Sequence, residues 1–270
     1  MRVTVAGDAV YGYTGSRAFD PDVPTIVFVH GAAQDHGVWA LQSRYFAHHR
    51  RNAVAVDLPG HGRSDGKPLA SVPAIADWLF ALLDALRVDR VALVGHSMGA
   101  LAALDAAGRS PDRITRLALL GPSVPMPVSD PLLDAARRDD HVAFEMINGW
   151  SFSPSDQLGG NRLPGVWMTG NALRLMERSR PGVLHTDLLA CHSYADGLKA
   201  AARVGCPVLL ILGARDQMAP AKNAAALRDA LHDKRVLTIP DCGHSLMTEA
   251  PDAVLDALRE FLVDSAALSA

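Results

Sequence analysis

The chain has 270 residues, 49% hydrophobic and 20% charged, with a formal net charge of -3. That balance suits one large globular α/β domain, or such a core with an insertion, and it provides no basic field for a phosphate backbone, which excludes nucleic acid as a partner. The three cysteines, Cys191, Cys206 and Cys242, form neither a disulfide framework nor a zinc spacing. The N-terminus meets an acid at Asp8, and no window approaches about 18 uninterrupted apolar residues. Neither a signal peptide nor a membrane span is expected, so the expected location is the cytoplasm.

Residues 1–15 alternate in polarity and predict antiparallel edge strands. Thr25 to Val29, Ala53 to Val56, Val91 to Val94, Leu117 to Leu120, Val208 to Leu212 and Arg235 to Ile239 predict fully buried strands. Helical periodicity fits Ile75 to Leu86, Met98 to Ala107, Ala221 to Leu231 and Ala253 to Phe261. Such alternation predicts a mainly parallel sheet covered on both faces. It breaks between Pro122 and Val204, where Pro125, Pro127, Pro131, Pro154, Pro164 and Pro181 punctuate the chain. Short amphipathic helices fit Pro131 to Arg138 and Asn171 to Arg178 in this stretch. An insertion at the carboxyl end of a strand overhangs the usual ligand crevice. Met146, Trp150 and Trp167 are its candidate cleft residues.

Gly95-His96-Ser97-Met98-Gly99 lies between the strand Val91 to Val94 and an alanine- and leucine-rich helix. A G-x-S-x-G pattern there places the serine on a strained turn with its hydroxyl above the sheet edge. A serine needs a base, and a histidine base needs a carboxylate to orient it. Asp216 and His244 each follow a predicted strand, so a parallel sheet brings Ser97, Asp216 and His244 to one edge. Asp216 could instead cap the turn before Ala219-Pro220, and Asp241 is a rival acid, too near His244 in sequence to orient it well. Oxyanion donors are expected from the backbone N–H groups of Met98 and of Ala32, with Ala33 second to Ala32. His30 is expected to brace that loop. His36 is expected to border the pocket, and Trp39 to pack a helix.

The ordered set His30-Gly31, Asp57-Leu58-Pro59-Gly60-His61-Gly62-Arg63-Ser64, Gly95 to Gly99, Gly213-Ala214-Arg215-Asp216 and Gly243-His244 resembles the α/β-hydrolase superfamily, in its lidded serine-hydrolase branch. The resemblance implies an α/β-hydrolase fold: a mostly parallel eight-stranded sheet flanked by helices, with an inserted helical lid. It also implies no metal or organic cofactor. The expected division is a core of 1–121 and 205–270 and a cap of 122–204. Relatives that hydrolyse epoxides or haloalkanes carry an aspartate at the elbow, whereas position 97 is serine. Gly60 to Gly66 and Gly66-Lys67-Pro68 miss the nucleotide-binding patterns by a glycine or a Ser/Thr.

The expected activity is therefore cleavage of small or medium apolar carboxylic esters through Ser97, His244 and Asp216. Carbon–carbon hydrolysis, a lyase reaction, acyl transfer, and a ligand-binding receptor with a vestigial triad are the alternatives. The expected partner is a small-molecule ester, with no nucleic acid and no membrane; oligomeric state is left open.

Overall fold

Continuous apolar, β-branched runs can be buried on both faces only inside a helix-covered sheet. The structure, a computed structural model, describes residues 1–160 and 165–263; Pro164 lies outside them. In it β3 (Thr25–Val29), β4 (Asn52–Val56), β5 (Val91–His96), β6 (Ile114–Leu120) and β7 (Val208–Gly213) lie parallel in the order β4-β3-β5-β6-β7. Two alternating strands, β1 (Arg2–Val5) and β2 (Asp8–Tyr13), form an antiparallel hairpin that joins β4. The eighth strand, β8 (Lys234–Ile239), pairs in parallel with β7 and completes the order β1-β2-β4-β3-β5-β6-β7-β8.

The β8 strand corrects an expectation. It was expected to be buried on both faces, but Lys234, Arg235 and Val236 are exposed. Its place at the sheet margin explains this, and charged residues on an edge strand also discourage pairing with another chain. The helical pattern at 221–231 is divided too: a 3-10 turn (Ala221–Ala224) leads into a short α-helix (Ala225–Ala230).

Helices cover both faces. On one lie α1 (Ala40–Ala47) and the helix Pro251–Leu262, packed with Phe28, Val94 and Ile211. On the other lie α2 (Val72–Ala85) and α3 (Met98–Arg109). Ser71 caps α2 by accepting the Ala74 N–H at 3.2 Å, and Pro73 occupies its first turn, where a missing donor costs nothing. Every residue of α3 except Arg109 is buried. That is why this segment is apolar on all sides and reads as a weakly amphipathic helix.

Between β6 and β7 come α4 (Asp130–Arg137), α5 (Val142–Ser151), α6 (Pro154–Gln157), α7 (Met168–Met176), α8 (Val183–His192) and α9 (Gly197–Ala201). Leu132, Leu133, Ile147, Met176, Leu184 and Leu188 join four of these helices in an apolar cluster of their own. Farther along, Tyr194 donates to buried Asp105 of α3 at 2.8 Å, which ties the segment back to the sheet-covering layer. None of the described helices is long and apolar enough to cross a membrane.

Candidate functional site

Strand register decides which residues meet. Val29 pairs with Gly95, and Leu120 pairs with both His96 and Ile211. Ile239 pairs with Gly213 on the far side. The loops after β3, β5, β6, β7 and β8 therefore leave the sheet at one edge.

Ser97 sits where β5 turns into α3, at φ 54 and ψ -117. A non-glycine residue there stores roughly 1–3 kcal/mol of backbone strain. The flanking glycines permit it. A Cβ at Gly95 would strike the Gly99 backbone, and one at Gly99 would strike the Val29 and His30 carbonyls. Strand, elbow and helix thus pass closer together than any side chain allows.

His244 follows β8, and its Nδ1 lies 2.7 Å from Asp216 Oδ2, with both side chains buried. A carboxylate can only accept, so Nδ1 carries a hydrogen, and in the neutral ring Nε2 keeps its lone pair. Burial raises the Asp216 pKa, but the charge and hydrogen bond of His244 and the Ala219 N–H outweigh it and leave the carboxyl below its ordinary value. Asp216 Oδ1 accepts that Ala219 N–H at 2.7 Å, so this residue both caps its turn and holds the histidine. Asp241 is exposed and lies 3.5 Å from Arg215.

Two buried histidines brace the loops. His96 Nε2 donates to the His244 carbonyl at 2.9 Å. Burial and the neighbouring His244 push its pKa down to about 3. His30 Nδ1 donates to the Gly31 carbonyl at 2.8 Å, and its Nε2 accepts the Leu58 N–H at 3.2 Å. Burial and then His61 hold His30 down to about 4, so it is neutral as well. Bracing is the role sequence predicts for His30.

After β3, the Gly31 N–H is taken by Gln34 Oε1 at 3.0 Å and the Ala33 N–H by Asp187 Oδ2 at 2.9 Å. Neither Ala32 nor Met98 gives its backbone N–H to another described residue. Of the two candidates in the loop, Ala33 is committed elsewhere and Ala32 is available.

A cavity of about 510 Å³ opens above this edge, lined by Ser97, His244, Ala32, Gln34 and residues of the helical segment. Trp150 lines it. His36, Met146 and Trp167 are not among the residues that line it. His36 donates to Asp57 from both its backbone N–H, at 2.7 Å, and its Nδ1, at 2.8 Å, and its ring packs on Tyr11. Met146 lies on the helix face that packs into the α4–α8 cluster. Trp167 precedes α7 with 70% of its surface exposed and its ring over Gly170. Periodicity cannot tell which face of a short helix meets a cavity and which meets its neighbours. Trp39 is fully buried with its ring 5.4 Å from Phe28, the packing role expected of it.

Asp35, His36 and Asp57 have donor atoms within 4.8 Å of one another. Their oxygens already accept N–H groups of His36, Gly37 and Arg63. The cluster braces the β3 and β4 loops.

The family of the alpha/beta hydrolase fold matches residues 24–251. The chain belongs to that family. This α/β-hydrolase is 33% identical over 245 residues to a pimeloyl-[acyl-carrier protein] methyl ester esterase of Aromatoleum aromaticum, covering 85% of this chain and 94% of that one. It is 29% identical to the dihydrolipoyllysine-residue acetyltransferase component of an acetoin-cleaving system of Pseudomonas putida, over 88% of this chain and 63% of that protein. Among solved structures, the enol-lactonase of Burkholderia xenovorans LB400 superposes with a TM-score of 0.85 at 22% identity, covering 98% of this chain and 100% of that one. The protein is a hydrolase-fold enzyme with esterases among its relatives. Asp187 and Gln34 were missed from sequence, as was Glu249, whose carboxyl accepts the Gly243 and Ser153 N–H groups at 3.0 and 2.8 Å beside His244. Asp187 left one faint signal, a lone carboxylate among the mostly apolar residues Val183 to Cys191.

Proposed function

We propose that this α/β-hydrolase is a serine esterase for uncharged, largely apolar carboxylic esters. The observation that carries the reading is the meeting of the strained Ser97 elbow and the His244–Asp216 pair in one cavity. His244 Nε2 removes the Ser97 proton as Oγ attacks the ester carbonyl. The Ala32 and Met98 N–H groups receive the oxyanion. The leaving alcohol takes the proton from His244, and water, deprotonated by the same nitrogen, releases the acid. Asp216 holds the tautomer and stabilises the transient imidazolium.

The substrate class follows from the walls. Met126, Leu132, Ile147, Trp150, Phe152 and Met168 supply much of the surface, and no Lys, Arg, Asp or Glu lines the cavity among the described residues. An ionised acyl chain would lose its hydration there with no counter-charge to replace it. Residues 122–204 act in this reading as a cap that sets specificity over a core of 1–121 and 205–270. The acyl group of a neutral ester fits the cavity volume, which lies in the ordinary range for small-molecule sites.

A panel of p-nitrophenyl esters of rising chain length, run on wild type and Ser97→Ala, tests the proposal. Wild type should turn over neutral acyl chains and discriminate against a chain ending in a carboxylate. Ser97→Ala should lose several orders of magnitude in kcat. Binding without turnover in wild type would overturn the esterase in favour of a receptor.

A further inference from the structure

The loop that supplies Ala32 is held from the helical segment, at one residue. Ala33 has φ 52, a left-handed conformation unusual for a residue with a side chain. Its N–H donates to Asp187 Oδ2 of α8 at 2.9 Å, and its carbonyl accepts from Ser179 Oγ at 3.2 Å. Ala33 is buried in one apolar cluster with Leu132, Leu184 and Leu188. Both faces of this strained turn are thus fixed by the cap.

Asp187 is itself held. The same oxygen, Oδ2, lies 2.8 Å from His61 Nε2, and the side chains of this pair are only 1% and 2% exposed. His61 Nδ1 lies 3.0 Å from the Pro59 carbonyl. A carbonyl and a carboxylate only accept, so each ring nitrogen carries a hydrogen and His61 is an imidazolium. The groups facing it are the Asp187 and Asp57 carboxylates and the neutral His30 ring, whose centroid is 4.9 Å away. The Cys191 thiol, one turn on along α8, is pushed up by burial and by the Asp187 carboxylate, and so is uncharged. Burial pulls the His61 pKa down, but the Asp187 charge, its hydrogen bond and the Pro59 carbonyl outweigh it and hold the group above its ordinary value.

We propose that His61 and Asp187 are positioning residues: a buried ion pair that fixes the Ala33 turn, and through it the Ala32 N–H, from the cap. The proposal rests on the esterase reading for its catalytic consequence. Three chain segments, the β4 loop, the β3 loop and α8, meet at one carboxylate oxygen. If His61 loses its Nδ1 proton, the ring keeps its Nε2–H toward Asp187, but the buried carboxylate loses its counter-charge. An uncompensated buried carboxylate is costly, which loosens its hold on the turn. Donors at an oxyanion must sit within tenths of an ångström of their place, so the loss falls on the transition state more than on ground-state binding. The pair also makes productive loop geometry conditional on a docked cap.

Two measurements test it. The first is ¹⁵N NMR of the His61 ring in wild type at pH 8, which should show both nitrogens protonated. The second is steady-state kinetics on a p-nitrophenyl ester. Asp187→Asn keeps the shape but removes the charge, so the imidazolium loses its partner. It should lower kcat roughly 10- to 100-fold with KM changed less than about 3-fold. His61→Gln, whose amide N–H donates to Asp187 without charge, should lower kcat at neutral pH and lose the alkaline fall in kcat expected of wild type. A neutral His61 ring at pH 8, or an Asp187→Asn variant with intact kcat and only a lower Tm, would overturn the proposal. Absence of ester turnover in wild type would instead fall on the esterase reading, since the NMR measurement reports the ion pair independently of activity.

Discussion

Asp216 carries two tasks on two oxygens, one accepting the Ala219 N–H and the other the His244 Nδ1–H. Replacing it by Asn presents an amide to one of these donors and removes the charge that stabilises the imidazolium. Asp216→Asn should lower kcat about 10³- to 10⁴-fold, the scale expected when a serine hydrolase histidine takes the wrong tautomer. Asp241→Asn should leave kcat within a factor of about two, because that carboxylate is exposed and pairs loosely with Arg215. Steady-state kinetics on both variants checks the assignment. A larger loss in Asp241→Asn would reverse it.

Among the helices between β6 and β7, α5 turns Ile147 and Trp150 toward the cavity, while Met146 packs among helices. Trp150→Ala should shift preference toward longer or bulkier acyl groups, seen as a change in the ratio of kcat/KM values across an ester series. Met146→Ala should leave that ratio unchanged and lower Tm modestly, because it opens space within a half-buried cluster. Trp167→Ala should change neither by much, given its exposure. Equal selectivity shifts in all three would mean that these helices act as one body and that α5 does not present a particular face.

Across the whole molecule, buried ionisable groups set how stability depends on pH. His30 and His96 are fully buried with pKa values of about 4 and 3. The unfolded chain protonates both below about 6.5, so it binds more protons than the native state, and stability falls as pH falls. Each contributes up to ~1.4 kcal/mol per pH unit in that window. Glu249 opposes this: burial raises it to about 7, so between its unfolded value and 7 the native state binds the extra proton. Asp216 and Asp57, both held below their ordinary values, add to the acid loss once the unfolded carboxylates titrate. The raised His61 has the opposite sign, with stability present at low pH and lost as pH rises through its folded value. Stability should therefore decline gently from neutrality to about pH 4.5 and steeply below it. Denaturant midpoints across pH check this, and a profile flat down to pH 4 would show that His30 and His96 are not buried neutral.

Much of this was legible in the chain itself. Strand cores and the Ser97 elbow are local: a run of β-branched residues, or glycines two positions either side of a serine, constrains its own backbone whatever surrounds it. The order Ser97, Asp216, His244 became spatial only because parallel strands end on a common edge, a property of topology that the alternation of elements already implied. Contacts set by facing surfaces were decided by the tertiary structure alone. The exposed face of β8, the sides of α5 and α7 that meet the cavity, the commitment of the Ala33 N–H to Asp187, and the link from His61 to Asp187 across 126 residues each depend on what lies opposite. No local pattern records the partner of a buried carboxylate, because its cost is met by groups that only the folded chain brings within 3 Å.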